Sequence, residues 1–154
     1  AWEMAFLENA EKMGYKSDSR EVIEYQKELE ETISSYKKMK DAGIKILVGG
    51  DYGLDIAPHG TYAKDLEHYV NLFGFSNAEA MHCATSLGGE AMDNNGLLGT
   101  LEEGKLADLV IIDGNPLEDI TVLQDHKKIK AVMKDGLIYQ GLTNKINPYL
   151  NENL

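Results

Sequence analysis

The residue best placed for chemistry is Asp51, which directly follows a short apolar run and lies between Gly50 and Gly53. Because glycine has no side chain, backbone or a ligand can come close to a carboxylate that lies among glycines. Such a carboxylate can bind a divalent metal through oxygen and can take a proton from metal-bound water. Alternatively, Asp51 caps a turn, because a strand followed by Gly-Asp is ordinary loop chemistry. The pattern leaves both interpretations open.

The four histidines add one further candidate, His59, which lies in the loop after the same apolar run. Loop residues carry function disproportionately, so His59 is a candidate substrate contact, with a surface histidine as the alternative. His68 and His82 fall inside helical patterns and are expected at packing or surface positions, and His126 is expected in solvent. None of the four belongs to an H-x-H or H-E-x-x-H pair, which a self-contained zinc site needs.

Composition narrows the classes of partner. Lys and Arg number 15 against 26 Asp and Glu, which gives a net charge of −11. Phosphate neutralisation and docking on anionic lipids both need clustered positive charge, so neither nucleic acid nor a membrane is an expected partner. The single cysteine, Cys83, excludes an internal disulfide framework and a cysteine-rich zinc site. A buried, inert thiol is expected, with a reactive thiol as the alternative.

The elements that would position Asp51 alternate between helix and apolar strand. Asp18 and Glu21 predict a capping box that opens a long helix, which should end near Gly43. The run 44–48 is too short for a helix and almost entirely apolar, which favours a strand covered on both faces, as in parallel sheets. Asp51 is therefore expected at the carboxyl end of a buried strand, pointing into a cleft.

Two more helices are predicted after this loop. The first runs from about residue 62 to 73, and the second opens with an S-x-x-E capping box formed by Ser76 and Glu79. The glycine pair at 88–89 is expected to break the helical structure after this second helix.

From Gly99 onwards, short apolar runs predict a β-region. The runs are 109–112, 131–133 and 137–139, and an Asp-Gly turn at 135–136 predicts that the last two form a hairpin. A boundary is therefore predicted near residue 97. It divides the chain into a helix-alternating part at 1–97, a small β-domain segment at 98–141 and a tail at 142–154.

Residues 99–117 and 132–139 closely resemble the C-terminal signature of the amidohydrolase superfamily. The first segment is a turn with glycine and lysine that leads into an apolar strand, and the second resembles the hairpin that comes after it. Upstream, residues 43–51 look like the eighth barrel strand of that family, which carries the metal-binding and proton-accepting aspartate. The resemblance is greatest to the imidazolonepropionase-like and prolidase-like branches.

This resemblance implies an α/β fold, the C-terminal part of a (β/α)₈ TIM barrel followed by part of a small β-sandwich domain. It implies a hydrolase that cleaves an amide, peptide or cyclic amide C–N bond with metal-activated water. Asp51 would be the catalytic base and a metal ligand, His59 a substrate contact, and the cofactor one or two divalent ions, zinc by expectation. The substrate would be a small molecule or a dipeptide.

The sequence also departs from the family pattern. It reads Gly49-Gly50-Asp51 where the family has Gly-Thr-Asp, and it has no counterpart of the family's H-x-H, its strand-four lysine or glutamate, or its later histidines. We therefore expect a fragment that is inactive alone and needs a missing N-terminal barrel half or a self-association partner. The alternative is a non-catalytic scaffold or interaction module. The cellular compartment stays open, because a targeting segment can lie outside these residues. The cytoplasm is slightly favoured.

Overall fold

The computed structural model describes residues 2–92 and 95–141, so the predicted tail at 142–154 lies outside the described residues. The described part contains helices, three strands and two short 3₁₀ helices. The helices are α1 Trp2–Asn9, α2 Arg20–Asp41, α3 Lys64–Asn71, α4 Asn77–Ala84 and α5 Ser86–Met92; the strands are β1 Leu109–Ile112, β2 Ile129–Lys134 and β3 Leu137–Gly141; the 3₁₀ helices are Ile120–Gln124 and His126–Lys128. None of the described helices is both long and apolar enough to cross a bilayer.

Helix α2 confirms the predicted long helix that ends near Gly43, but the predicted capping box at its start is wrong. The N-cap residue is Ser19 rather than Asp18, and its side chain makes no capping hydrogen bond. At the other end, Gly43 has φ +70°. Its N–H donates to the Lys40 carbonyl at 2.9 Å, and the Ile44 N–H donates to the Met39 carbonyl at 3.0 Å. This is a Schellman motif, which satisfies the last carbonyls of the helix.

Helix α4 begins with the capping box that its sequence predicts. The Ser76 hydroxyl accepts the Glu79 N–H at 3.2 Å, and the Ser76 N–H donates to Glu79 Oε2 at 2.7 Å. Lys40 Nζ of α2 lies 3.0 Å from the same Oε2 atom and ties α2 to α4. The glycine pair 88–89 does not break the helical structure as expected, because it lies inside α5.

The main hydrophobic core lies between α2, α3 and α4. Tyr36 of α2 stacks on Phe73 just after α3 with ring centroids 4.2 Å apart, and Tyr69 of α3 meets Phe73 edge-on at 5.5 Å. Ile120, from the first 3₁₀ helix, is buried in the same core. A smaller cluster joins α1 to α2. Because Ile120 packs into the helical core, the β-region and the helices share apolar contacts.

The segment 44–48, predicted as a buried strand, forms no strand in the described residues. A β-strand is defined by ladder hydrogen bonds, and the described part of the chain places no neighbouring strand beside it. Only Ile46 is buried, whereas Ile44 and Leu47 are about half exposed, at 54% and 46%. The Tyr69 hydroxyl donates to the Leu47 carbonyl at 2.7 Å and holds the segment against α3. The expectation of a buried strand before Asp51 is therefore wrong for the described structure.

The three strands form an antiparallel sheet in the order β1-β2-β3, which confirms the predicted hairpin. Its turn has Asp135 at φ 50° and Gly136 at φ 76°. Two successive positive φ angles are what a type I′ turn requires, and Asp-Gly adopts them readily. The chain is a mixed helix-and-strand structure, and the boundary near residue 97 stays a prediction.

A close contact between two glycines joins α5 to the start of the β-region. A Cβ atom on Gly89 would lie 2.6 Å from Gly99 Cα, and one on Gly99 would lie 2.9 Å from the Thr85 carbonyl oxygen. Gly99 also has φ +92°, a conformation that other residues rarely adopt. Only glycine at both positions permits this approach without displacing the backbone.

Candidate functional site

Asp51 is exposed and opens a loop that is closed by its own backbone. The Gly53 N–H donates to the Ala57 carbonyl at 2.9 Å, and the Ala57 N–H donates to the Leu54 carbonyl at the same distance. Gly53 has φ +116°, so the turn needs glycine here. A cavity of about 380 Å³ begins beside Leu47 and Val48, but Asp51 is not among the residues that line it. The carboxylate is exposed to solvent, and this cavity is not the cleft that was expected in front of it.

His59 lies against the same loop. Its Nδ1 atom is 2.7 Å from the Tyr62 hydroxyl oxygen. A Cβ atom on Gly53 would lie 2.9 Å from His59 Nε2, so the imidazole packs directly over the Gly53 backbone. His59 therefore contacts Gly53, two positions after Asp51, within the loop that follows the segment 44–48.

Tyr52 connects this loop to the start of α3. Its ring meets the Tyr62 ring edge-on, with centroids 4.7 Å apart. Burial and then a hydrogen bond to the Asp65 carboxylate raise the pKa of the Tyr52 phenol. Asp65 itself is only 4% exposed. A buried carboxylate is rare without a polar neighbour, and the Tyr52 phenol, whose pKa Asp65 helps to raise, is such a neighbour.

His68 extends this buried polar group, although its sequence pattern allowed either a packing or a surface position. It is 9% exposed, and its Nδ1 atom lies 3.8 Å from Asp65 Oδ1. Burial lowers the pKa of His68, so the imidazole is neutral near pH 7. Neither ring nitrogen has a hydrogen-bond partner in the part of the chain that the structure describes. Two polar side chains thus lie on the buried face of α3.

Sequence reasoning missed Asp65 entirely. The signal was present, because Asp65 shares a helix face with His68 and Tyr69, three and four residues on, and both are buried. A carboxylate on a buried helix face is rare unless it is paired. Its neighbour Tyr52 comes from the loop before α3 and could not be identified from spacing.

The remaining histidines are exposed, in agreement with the sequence analysis. His126 does make one contact with the loop that carries His59, because its Nε2 atom lies 3.3 Å from the Gly60 carbonyl oxygen. Across residues 2–92 and 95–141, no three His, Cys, Asp or Glu side chains come close enough to hold a metal ion. These residues alone do not fit a catalytic zinc, which usually takes three protein ligands. The expected zinc therefore stays a prediction.

The described arrangement can perform proton transfer and substrate contact. Asp51 offers an exposed carboxylate that can accept a proton, and His59 offers an imidazole held in the same loop by Tyr62.

Most of the chain matches a known enzyme family. The model of the amidohydrolase family matches residues 7–138. An ochratoxinase from Aspergillus niger is 36% identical over 118 residues, which are 73% of this chain and 24% of the relative. The chain thus spans about a quarter of that curated relative.

Solved structures extend the likeness to the fold. The crystal structure of the A. niger ochratoxinase matches with a TM-score of 0.74 and 28% identity, over 90% of this chain and 31% of that one. A Xaa-Pro dipeptidase crystallised with methionine in its active site matches with a TM-score of 0.69 and 32% identity, over 90% of this chain and 33% of that one. On the family match and these similarities, the chain belongs to the amidohydrolase family.

Proposed function

We propose that the protein hydrolyses a C–N bond in a small molecule or dipeptide, either an amide, a peptide or a cyclic amide bond. The observation that carries the proposal is the exposed Asp51 carboxylate at the start of a tied loop, with His59 packed on Gly53 in the same loop. The names of the similar proteins support the reaction class, since one is an ochratoxinase and another a Xaa-Pro dipeptidase.

In this proposal Asp51 is the general base. Its carboxylate takes a proton from the attacking water, the water oxygen bonds to the carbonyl carbon, and the proton passes to the leaving nitrogen as the C–N bond breaks. His59 contacts the substrate, and its ring orientation is set by the Tyr62 hydroxyl. A divalent metal, with zinc expected, would supply activation of the water, but the described residues hold no group of ligands for it and no step is assigned to it.

The protein's expected partners follow from its exposed apolar side chains. Met92, Leu101 and Leu117 are 82%, 76% and 59% exposed. A groove of about 920 Å³ between α4, α5 and the sheet is lined by further apolar residues. Exposed apolar surface on this scale favours association. We therefore propose that other polypeptide covers it, either a barrel half that completes the fold or a second copy of the chain.

The test is hydrolysis of dipeptides and cyclic amides by the natural protein that contains these residues, compared with two aspartate variants. Asp51→Asn should lower kcat by at least about 100-fold, because a missing general base removes that much catalysis. Asp55→Asn, an equally exposed change in the same loop, should keep wild-type kcat. Equal activity of the wild type and Asp51→Asn, or equal losses in both variants, would contradict the role of Asp51, and no turnover by the natural protein would favour a non-catalytic module.

A further inference from the structure

A set of contacts joins the residues before α3 to both sides of the loop that begins with Asp51. The Tyr52 ring meets the Tyr62 ring edge-on, with centroids 4.7 Å apart. The Tyr62 hydroxyl in turn lies 2.7 Å from His59 Nδ1. Tyr52 is the residue directly after Asp51.

The set closes on the loop itself. His59 packs over Gly53, where a Cβ atom would lie 2.9 Å from the imidazole Nε2. The Gly53 N–H reaches across the loop to Ala57 at 2.9 Å. The two residues after Asp51 are therefore held from both sides, one through its side chain and the other through its backbone.

The helix α3 that follows Tyr62 is firmly packed, because Leu66 and Tyr69 are buried in the main core. Tyr62, by contrast, is half exposed at 51%. Although it is exposed, Tyr62 contacts His59 through its hydroxyl and Tyr52 through its ring. Contacts of this kind, made by a residue next to a well-packed helix, fix the orientation of side chains in a catalytic loop.

We propose that Tyr62 is a positioning residue that sets the orientation of His59 and of the loop that begins with Asp51, a role that rests on the proposed hydrolase function. Its hydroxyl acts on His59, and its ring acts on Tyr52, the residue after Asp51. Tyr62 does not touch the reacting atoms in this role. Because it holds the loop before any substrate arrives, its effect is measurable in the free protein.

The first experiment is residue-resolved amide hydrogen exchange by NMR at a fixed pH. The Gly53 and Ala57 amides, whose hydrogen bonds close the loop, are the reporters, and the amides of α2 are the reference for global unfolding. Tyr62→Phe removes the bond to His59 while keeping the ring, and should accelerate exchange of both reporters about fivefold with α2 unchanged. It should also shift the ¹⁵N signals of the His59 ring. Tyr139→Phe, on exposed β3, is the matched control and should change neither reading.

The proposal is overturned if the Gly53 and Ala57 amides are unaffected by Tyr62→Phe. It is also overturned if the α2 amides accelerate by the same factor, which would indicate a merely structural role.

Kinetics separate this inference from the proposed function. In the active natural protein, Tyr62→Phe should lower kcat/KM about tenfold, because catalysis depends strongly on the orientation of its groups. An unchanged kcat/KM with a loosened loop overturns the positioning role. If no amide substrate is turned over while the loop amides respond as expected, the proposed hydrolase function fails and the control of the loop by Tyr62 stands.

Discussion

The Asp108 carboxylate accepts the backbone N–H of Asp135 at 2.6 Å, and so ties the residue before β1 to the turn between β2 and β3. The same carboxylate pairs with Lys134. Asp108→Ala should therefore lower the thermal unfolding midpoint and loosen the β2–β3 turn, since the turn amide loses its acceptor. Asp108→Asn should lie between the wild type and Asp108→Ala, because the amide oxygen can still accept. Equal unfolding midpoints for all three proteins would contradict the role of this contact.

The close packing of Gly99 predicts a specific loss of stability. Gly99→Ala places a methyl group 2.9 Å from the Thr85 carbonyl oxygen and also strains a backbone at φ +92°. We expect a loss of about 2–5 kcal/mol in the free energy of unfolding, measured by urea denaturation.

Gly104→Ala is the control for this change, because Gly104 has φ +87° but no atom within 4 Å of its added methyl group. It should lose only the conformational part, about 1–2 kcal/mol. Equal losses for the two variants would show that the contact between α5 and the β-region is not tight.

The capping box of α4 predicts part of the acid sensitivity. The Ser76 backbone N–H, followed by Lys40 and the Ser76 hydroxyl, lowers the pKa of Glu79 to about 2. A depressed carboxyl pKa stabilises the fold above the unfolded pKa, and this contribution is lost as the pH falls through the folded pKa. Glu79→Gln should therefore lower stability at pH 7 and flatten its decline between about pH 5 and pH 2. The measurement is the urea midpoint against pH, with Glu30→Gln on exposed α2 as the control. A wild-type slope in Glu79→Gln would refute this.

Cys83 should be unreactive in the folded chain. It is 4% exposed, and burial raises the pKa of its thiol, so little thiolate forms and reagents cannot reach it. Modification by Ellman's reagent at pH 8 should be at least about tenfold slower than in urea, where the chain is open. Comparable rates with and without urea would mean that α4 opens readily.

The described chain should bind catalytic zinc poorly and should not hydrolyse dipeptides when zinc is added. Among the described residues Asp51 belongs to no group of three possible ligands, and a catalytic site usually needs three. Isothermal titration with zinc and an activity assay beside Asp51→Asn would measure this. Turnover that Asp51→Asn abolishes, or a metal bound by Asp51 together with His59, His68 or His82, would overturn the prediction.

Local patterns were predicted from the sequence where short-range physics decides the outcome. The Ser76 and Glu79 capping box and the Asp135-Gly136 turn both formed, because each is stabilised within a few residues of chain. The segment 44–48 did not form a strand in the described residues, since a strand depends on a neighbour that composition cannot supply. Asp51 and His59 lie in one loop, and their roles stay predictions, whereas the contacts of Tyr62 with His59 and Tyr52 depend on the tertiary fold and could not be read from the sequence.

Gly99 is the first residue of the stretch 99–117, which resembles the family signature, and its packing against α5 gives a structural reason for that resemblance. The glycine is required by a close backbone approach and a left-handed conformation, and it touches no group assigned to the reaction. A descendant that had exchanged its Asp51 carboxylate for an inert side chain would still need the same glycine to fold. Likeness over this stretch therefore reports ancestry and architecture, and a protein's capacity for hydrolysis has to be read at the loop that begins with Asp51.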